Sequence, residues 1–514
     1  MHRRSLLTAA LAGLLGPRLL PFAIGPAAAQ DAPAPFSFDA VIAQARTAAG
    51  EPYARPLMKM APPFADLRYD AFRAIRFREG RRLFADGSRA FQMELLPPGH
   101  HFQDRIEINL VAADGRVQPV AFSTDYFDFG ADYFPFPDGR APADLATDMG
   151  FSGLRFRSPI NRPGVWDEVA VFQGASYFRA VAHDTLFGLS ARGLAIGTAG
   201  PDPEEFPIFK RFWVHEPQPG DRVLRVQALL DSESVCGAFD FAIQPGTVTA
   251  IDVAAVLIPR REIAGAGMAP LTSMYFFGPE NRAGIDDFRN AVHDSDGLRI
   301  VNGSGERLWR PLRNPARVET SAFRDQNPRA FGLIQRARRF EDYSDAEVHY
   351  ELRPSAWVEP AGDWGAGAVI LAEIPSADEF TDNIVAFWRP AEPLAAGVEV
   401  RYGYRLNFGT LQPEDLPLAR VVGTRSGLSI LDTRERVFVV DFDLGLIDFA
   451  TLHPRLEASR GEVRGLSLQK LPAGNLARVG FHLVANGLPE SEFRLWLESE
   501  SQEASEIWLF RWSP

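Results

Sequence analysis

Three stretches of the chain hold side chains suited to acid–base chemistry. "AVHDSDGLRI" (Ala291–Ile300) places Asp294 and Asp296 on either side of Ser295, beside His293. "EFTDNIVAFW" (Glu379–Trp388) places Asp382 just ahead of an apolar run, Ile384 to Trp388. A carboxyl at the mouth of such a strand is partly desolvated, which raises its pKa and lets it keep a proton to donate. The same residues also read as turns, because Asp–Asn closes loops and Asp296-Gly297 is a turn signal in its own right. Asp294 reads either as a base or as a hydrogen-bonding strand-end residue. On residue type alone the turn readings lead at both acids. "HYELRPSAWVEPAGDWGAG" (His349–Gly367) adds Tyr350, Glu351, Arg353, Trp357 and Trp364. Aromatic faces stack on sugar rings while arginines and carboxylates bond hydroxyls, so this mixture describes a sugar-binding rim. Tryptophans buried in a sheet core fit the stretch as well.

Other chemistries lack their residues. The nine histidines are scattered, and His100 and His101, being adjacent, face opposite ways on a strand. No Cys/His ligand spacing and no EF-hand loop occurs, so no metal is expected, and no cofactor. There is no G-x-S-x-G elbow and no phosphate-cradling loop that opens a helix. "GLSARGLAIGTAG" is glycine-rich but sits among strands, where tight turns or bulges explain it.

The elements that must position these side chains are short strands. "RIEINLVAADG", "RVLRVQALLD" and "TVTAIDVAAVLIP" alternate or run in short apolar blocks closed by turn residues. Helices are few: "SFDAVIAQARTAAGEPY" has Ser37 as an N-cap and Gly50 as a stop, and Ala143–Phe151 is a shorter candidate. With 43 glycines and 40 prolines spread throughout, antiparallel sheets fit better than a doubly wound α/β chain. Pro390 and Pro393 bracket an expected linker at 390–397. Beyond it, five closely spaced alternating runs have the rhythm of one small immunoglobulin-like sandwich over 398–514. Residues 30–389 would then form one large β-sandwich, so the fold class is all-β. Sandwiches of that size commonly carry a groove across one sheet, which suits a polysaccharide.

Residues 1–29 read as an export signal. Arg3 and Arg4 precede the apolar run Leu6–Leu15, and Ala27, Ala28 and Ala29 end it before Gln30. The arginine pair indicates the twin-arginine route. Pro17 and Arg18 break the run well short of the roughly 20 apolar residues a span requires. Removing these residues takes away three arginines and no acid, which carries the net charge from −12 to −15. So acidic a surface repels phosphate backbones, and nucleic acid is an unexpected partner. The single cysteine, Cys236, has no disulfide partner within the chain and reads as a small buried residue.

Several blocks together resemble the osmoregulated periplasmic glucan biosynthesis proteins, the MdoG/OpgG and OpgD family. They are "STDYFDFG" (123–130), "GASYFRA" (174–180), "GLSARGLAI" (188–196), "EEFPIFKRFWV" (204–214) and "APLTSMYFFGP" (269–279). "HDSDGL", "WRPLRNP" (309–315), "LRPSAW" (352–357) and "TDNIVAFW" (381–388) continue them in family order. The C-terminal part is similar by rhythm only, and the twin-arginine signal is similar to the OpgD branch. The resemblance implies a galactose-mutarotase-like large sandwich, a soluble periplasmic location and a role in making glucans with a β-1,2-linked backbone. It implies an inverting endo-hydrolase or a transglycosylase; the alternatives are a non-catalytic glucan-binding protein and, more remotely, a lyase or epimerase. Its partners are β-1,2-glucan chains, an inner-membrane glucan synthase as a functional link, and a second copy of the chain in a homodimer.

Carried over residue by residue, the family's general acid falls on Asp382 and its general base on Asp294. That base acts through a relay of water and hydroxyls in which Tyr350 takes part. The expected sugar contacts are Trp357, Trp364, Arg353, Glu351, Trp388 and His293. Inversion needs a protonated acid on one side of the bond and an ionised carboxylate serving a water on the other. Asp294 is therefore expected to stay charged among polar partners, and Asp382 to lie desolvated against Ile384 and Val385.

Overall fold

The computed structural model describes residues 35–62, 64–142, 149–411 and 418–514. The export signal lies outside them, as does most of the Ala143–Phe151 helix candidate. Two large sheets face each other across the main core. One has ten strands and includes, side by side, Gln92–Leu96, Gly153–Ser158, Asp167–Gln173, Tyr177–Ala180, Ser190–Arg192, Ala266–Ser273 and Ile384–Pro390. The other has fifteen and includes Leu224–Asp231, Val235–Gln244, Val248–Pro259, Val400–Gly409, Ser355–Ala361 and Gly297–Val301. The all-β reading holds, and each strand read from alternation forms. Phenylalanines join the layers: Phe178 of the first sheet packs against Phe241 of the second at 5.4 Å between ring centroids.

The helix Phe38–Ala49 forms as its pattern predicts, with Gly50 at its C-cap. Its Val41, Ile42 and Ala45 cover the outer face of the long sheet over Trp213, Leu229 and Cys236. Cys236 is fully buried, and its thiol donates to Asp231 at 2.9 Å. No helix among the described residues is long and apolar enough to cross a membrane.

A second sandwich lies at the C-terminal end. Four strands, Arg420–Leu428, Glu435–Asp443, Leu476–Val484 and Glu462–Lys470, form its own sheet. They face Leu452–Ala458, Ser491–Ser499 and Ile507–Trp512, which are the terminal strands of the long sheet. Phe438 and Phe481 on one side meet Phe493 and Trp508 on the other. The long sheet is continuous between the sandwiches through the parallel pairing of Leu308 with Ile507 and Trp309 with Trp508.

The expected break at 390–397 does not separate the two. Val400–Gly409, assigned from its texture to the small sandwich, pairs with Val248–Pro259 on one edge and Ser355–Ala361 on the other. Its Tyr402, Tyr404, Leu406 and Phe408 point into the main core. The chain changes sandwich only between Gly409 and Arg420. An inward row at period two satisfies either core equally, so alternation alone does not say which sheet receives a strand.

Candidate active site

The outward face of the ten-stranded sheet carries a cavity of about 890 Å³. Alternation along Tyr177–Ala180 builds its floor: Phe178 and Ala180 enter the core, while Tyr177 and Arg179 point outward. Register brings Tyr177 opposite Arg192 on the next strand. The buried Arg192 guanidinium lies 4.7 Å from the Tyr177 ring centroid and 5.5 Å from that of Phe206, and it pairs with Glu204 at 2.6 Å. Two aromatic faces are thus braced from behind by one cation, with Phe206 47% exposed to the cavity.

Asp382 opens onto this cavity. Its neighbour Asn383, fully buried, fixes it there. The Asn383 amide donates to Tyr275 O at 3.0 Å and Ile374 O at 2.9 Å, and its oxygen accepts from Tyr275 N at 2.8 Å. The Asp–Asn pair therefore divides its work, the asparagine closing the turn and the aspartate facing out. The desolvation expected from Ile384 and Val385 is absent: Ile384 enters the core between the sheets, and Val385 packs on the opposite face of its sheet with Ile370 and Phe387. The Asp382 side chain keeps 35% of its surface and sits 3.6 Å from the Arg179 guanidinium.

Asp294 is the desolvated acid. It is 6% exposed, follows the short strand Val292–His293, and its N–H donates to Met274 O. Burial pushes its carboxyl up to about 6; the nearby Arg353 pulls the other way, and the charges of Asp382 and Glu379 add to the rise. One of its oxygens has no hydrogen-bond partner, with Arg353 Nε at 3.7 Å. Asp296, the other acid of the stretch, does structural work by accepting from the Arg336 and Ala337 N–H groups. The two carboxylates flanking Ser295 thus differ: one is satisfied and one is not. Gly297, which starts the following strand, has no room for a side chain, since a Cβ there would lie 2.4 Å from the Trp309 ring. Gly297→Ala should cost about 1–3 kcal/mol by overpacking, read as a lower midpoint in urea with unchanged slope.

Tyr350 is buried next to this acid, and its hydroxyl donates to Glu379 at 3.2 Å. Burial, then the Glu379 and Asp294 charges, hold its pKa well above the ordinary tyrosine value, so the hydroxyl stays protonated. Arg353 lies over its ring at 5.4 Å. Glu379 is held in turn by Arg289 at 2.6 Å, which also pairs with Asp287 and Asp345. Glu351 is nearly buried with one oxygen unpartnered, His349 Nδ1 lying 2.9 Å from the other.

The tryptophans and His293 fall elsewhere. Trp388 is fully buried between the sheets and cannot stack on a ligand. Trp364 packs against Phe331, Trp388, Tyr402 and Tyr404, and its indole donates to Gly403 O. Trp357 is 8% exposed under the Arg299 guanidinium, in a separate cavity beside Val421 of the small sandwich. His293 stacks on Tyr275 at 5.1 Å and bonds Gln335, 2% exposed. The aromatic faces sought in tryptophan are supplied by Tyr177 and Phe206, and the missing cation by Arg179. These three lie in "GASYFRA" and "EEFPIFKRFWV", where period-two alternation marks Tyr177 and Arg179 as one outward face.

Residues 36–512 match the family described as periplasmic glucan biosynthesis protein, MdoG. The chain is 44% identical to glucans biosynthesis protein G of Rhodopseudomonas palustris over the whole of both proteins. It is 44% identical to the Vibrio cholerae protein of that name over 93% of this chain and 87% of the other. With the Bradyrhizobium diazoefficiens protein G, the identity is 42% over 91% and 92%. All three carry the G name, whereas the twin-arginine reading points to the D branch.

Proposed function

Because the chain belongs to the MdoG family of periplasmic glucan biosynthesis proteins, we propose that it works in the periplasm on β-1,2-linked glucan, as an inverting endo-glucanase or transglycosylase. The observation that carries this reading is the division of the two acids, with Asp382 open to an 890 Å³ cavity and Asp294 buried behind it. The charge of Asp382 reaches Asp294 and adds to the rise of its pKa.

Accessibility assigns the roles. A general acid must touch the glycosidic oxygen, whereas a base can act through an intervening water or hydroxyl. Of the two, only Asp382 faces the cavity, so in this reading it is the acid that gives a proton to the leaving oxygen. Its contact with Arg179 is an ion pair without a hydrogen bond, and a bound sugar hydroxyl can take the arginine's place. Asp294 then receives the proton of the attacking water by relay through Tyr350. A base with a pKa of about 6 is ionised at neutral pH yet basic enough to accept that proton. Tyr177 and Phe206 offer stacking faces for the rings of the chain.

Purified protein incubated with linear β-1,2-glucan should release shorter chains whose new reducing ends have the inverted anomeric form by polarimetry. Transfer would appear as longer or cyclic products. The Asp382–Arg179 pair favours one other reading, a glucan-binding protein that assists synthesis without cutting. Binding with no change in chain length over prolonged incubation would establish that reading and end the enzymatic one.

A further inference from the structure

A second cavity, of about 400 Å³, lies beside the central one on the same outward sheet face. Gln173 lines both, so they are neighbours along one groove. Its walls carry Arg73, Arg76, Arg82, Arg155 and Arg157 against only Glu94 and Glu168. That is a local surplus of three positive charges on a chain whose net charge is −12.

The wall is ordered from beneath. Glu94 is 1% exposed and takes Arg82 at 2.7 Å, Arg155 at 2.6 Å and Arg157 at 2.5 Å. Burial alone would push its carboxyl up, but the arginines outweigh burial and hold it below the usual range. Glu168 takes the second arms of Arg155 and Arg157 at 2.7 and 2.8 Å. Strand alternation puts Arg155 and Arg157 on one face while Leu154 and Phe156 enter the core. Arg73 and Arg76 are different. Both are exposed, both line the cavity, and neither has an acidic partner among the described residues. A purely structural ion network would need neither of them.

We propose that this cavity is an anion subsite, in which Arg73 and Arg76 hold a phosphate or carboxylate group against the guanidinium wall fixed by Glu94. Guanidinium forks match both anions in bidentate geometry. The anion is either free or carried by the chain that occupies the central cavity. The subsite does not rest on the glucan reading; only the carried source does.

Calorimetric titration would use inorganic phosphate, a neutral β-1,2-gluco-oligosaccharide, and the same sugar oxidised to a carboxylate at its reducing end. Each is titrated into the wild type and into Arg73→Ala/Arg76→Ala. Phosphate should bind the wild type and lose about tenfold or more in the double variant, the loss shrinking in high salt. If the anion is carried by the sugar, the oxidised form should bind about tenfold tighter than the neutral one. That gain should vanish in the double variant while neutral-sugar affinity stays unchanged. Failure of phosphate to bind together with equal affinities for the two sugars overturns the subsite, as does binding that the double variant leaves intact. Phosphate binding without any sugar binding would keep the subsite and sink the glucan reading.

Discussion

Asp382→Asn should lower turnover of linear β-1,2-glucan by about 10²–10⁴-fold, the usual contribution of a positioned proton donor. The fold should survive, because the replaced carboxylate makes no hydrogen bond and keeps a third of its side-chain surface. What is lost structurally is one open ion pair with Arg179, worth about 1 kcal/mol at most. The substrate that isolates the role is a β-1,2-gluco-oligosaccharyl β-fluoride, since fluoride departs with little help from an acid. Turnover of the fluoride should be nearly the same in variant and wild type, while turnover of the glucan collapses. A residue that merely anchors sugar would behave otherwise, raising KM for both substrates and leaving kcat alone. Equal losses on the two substrates would therefore remove Asp382 from the role of acid.

The sequence makes the strands legible, and with them the all-β class, because a half-buried strand must alternate. It does not reveal sheet membership. The inward Tyr402, Tyr404, Leu406 and Phe408 would satisfy either sandwich, and only their pairing with Val248–Pro259 and Ser355–Ala361 decides. The candidate acids are legible as residues and not as environments. Asp382 precedes an apolar run, yet those side chains are buried on the two faces of their own sheet while the aspartate faces water. Asp294 sits among polar neighbours in the sequence, yet Asp296 is the one that accepts from backbone N–H groups, while one Asp294 oxygen has no hydrogen-bond partner. Tryptophan stands out in the sequence as a stacking face, but the large indoles are drawn into the core, where they bury most area, and tyrosine and phenylalanine line the cavity instead. The basic run 73–82, which supplies Arg73, Arg76 and Arg82, is legible in the sequence, but that Arg155 and Arg157 join it around a buried Glu94 to wall one cavity is decided only by the fold.

Asp294→Asn joins activity and stability in one test, with opposite signs. The relay needs the carboxylate ionised, so kcat/KM of the wild type should fall tenfold per pH unit below about 6, the value at which burial places the group. In Asp294→Asn that limb should disappear, with kcat/KM reduced about 10²–10⁴-fold above pH 6 and the gap narrowing as pH falls below it. Stability should move the other way. The folded protein binds this proton more tightly than the unfolded chain, so stability is lost as pH rises between about 4 and 6 and is not recovered above. At pH 7.5 the wild type thus carries a buried charge costing up to about 3 kcal/mol, since each tenfold change in proton affinity is worth about 1.4 kcal/mol. Asn has the shape of the protonated form and does not incur this cost. The variant should therefore melt higher than the wild type at pH 7.5 and at the same temperature near pH 3.5. Arg353→Met offers the complementary check, since removing the cation that restrains the rise should carry the acid limb of the wild-type profile to higher pH. A carboxylate whose loss abolishes turnover while it firms the fold is one the chain keeps for chemistry. A structural Asp294 would give the reverse, a variant that melts lower and still cuts glucan.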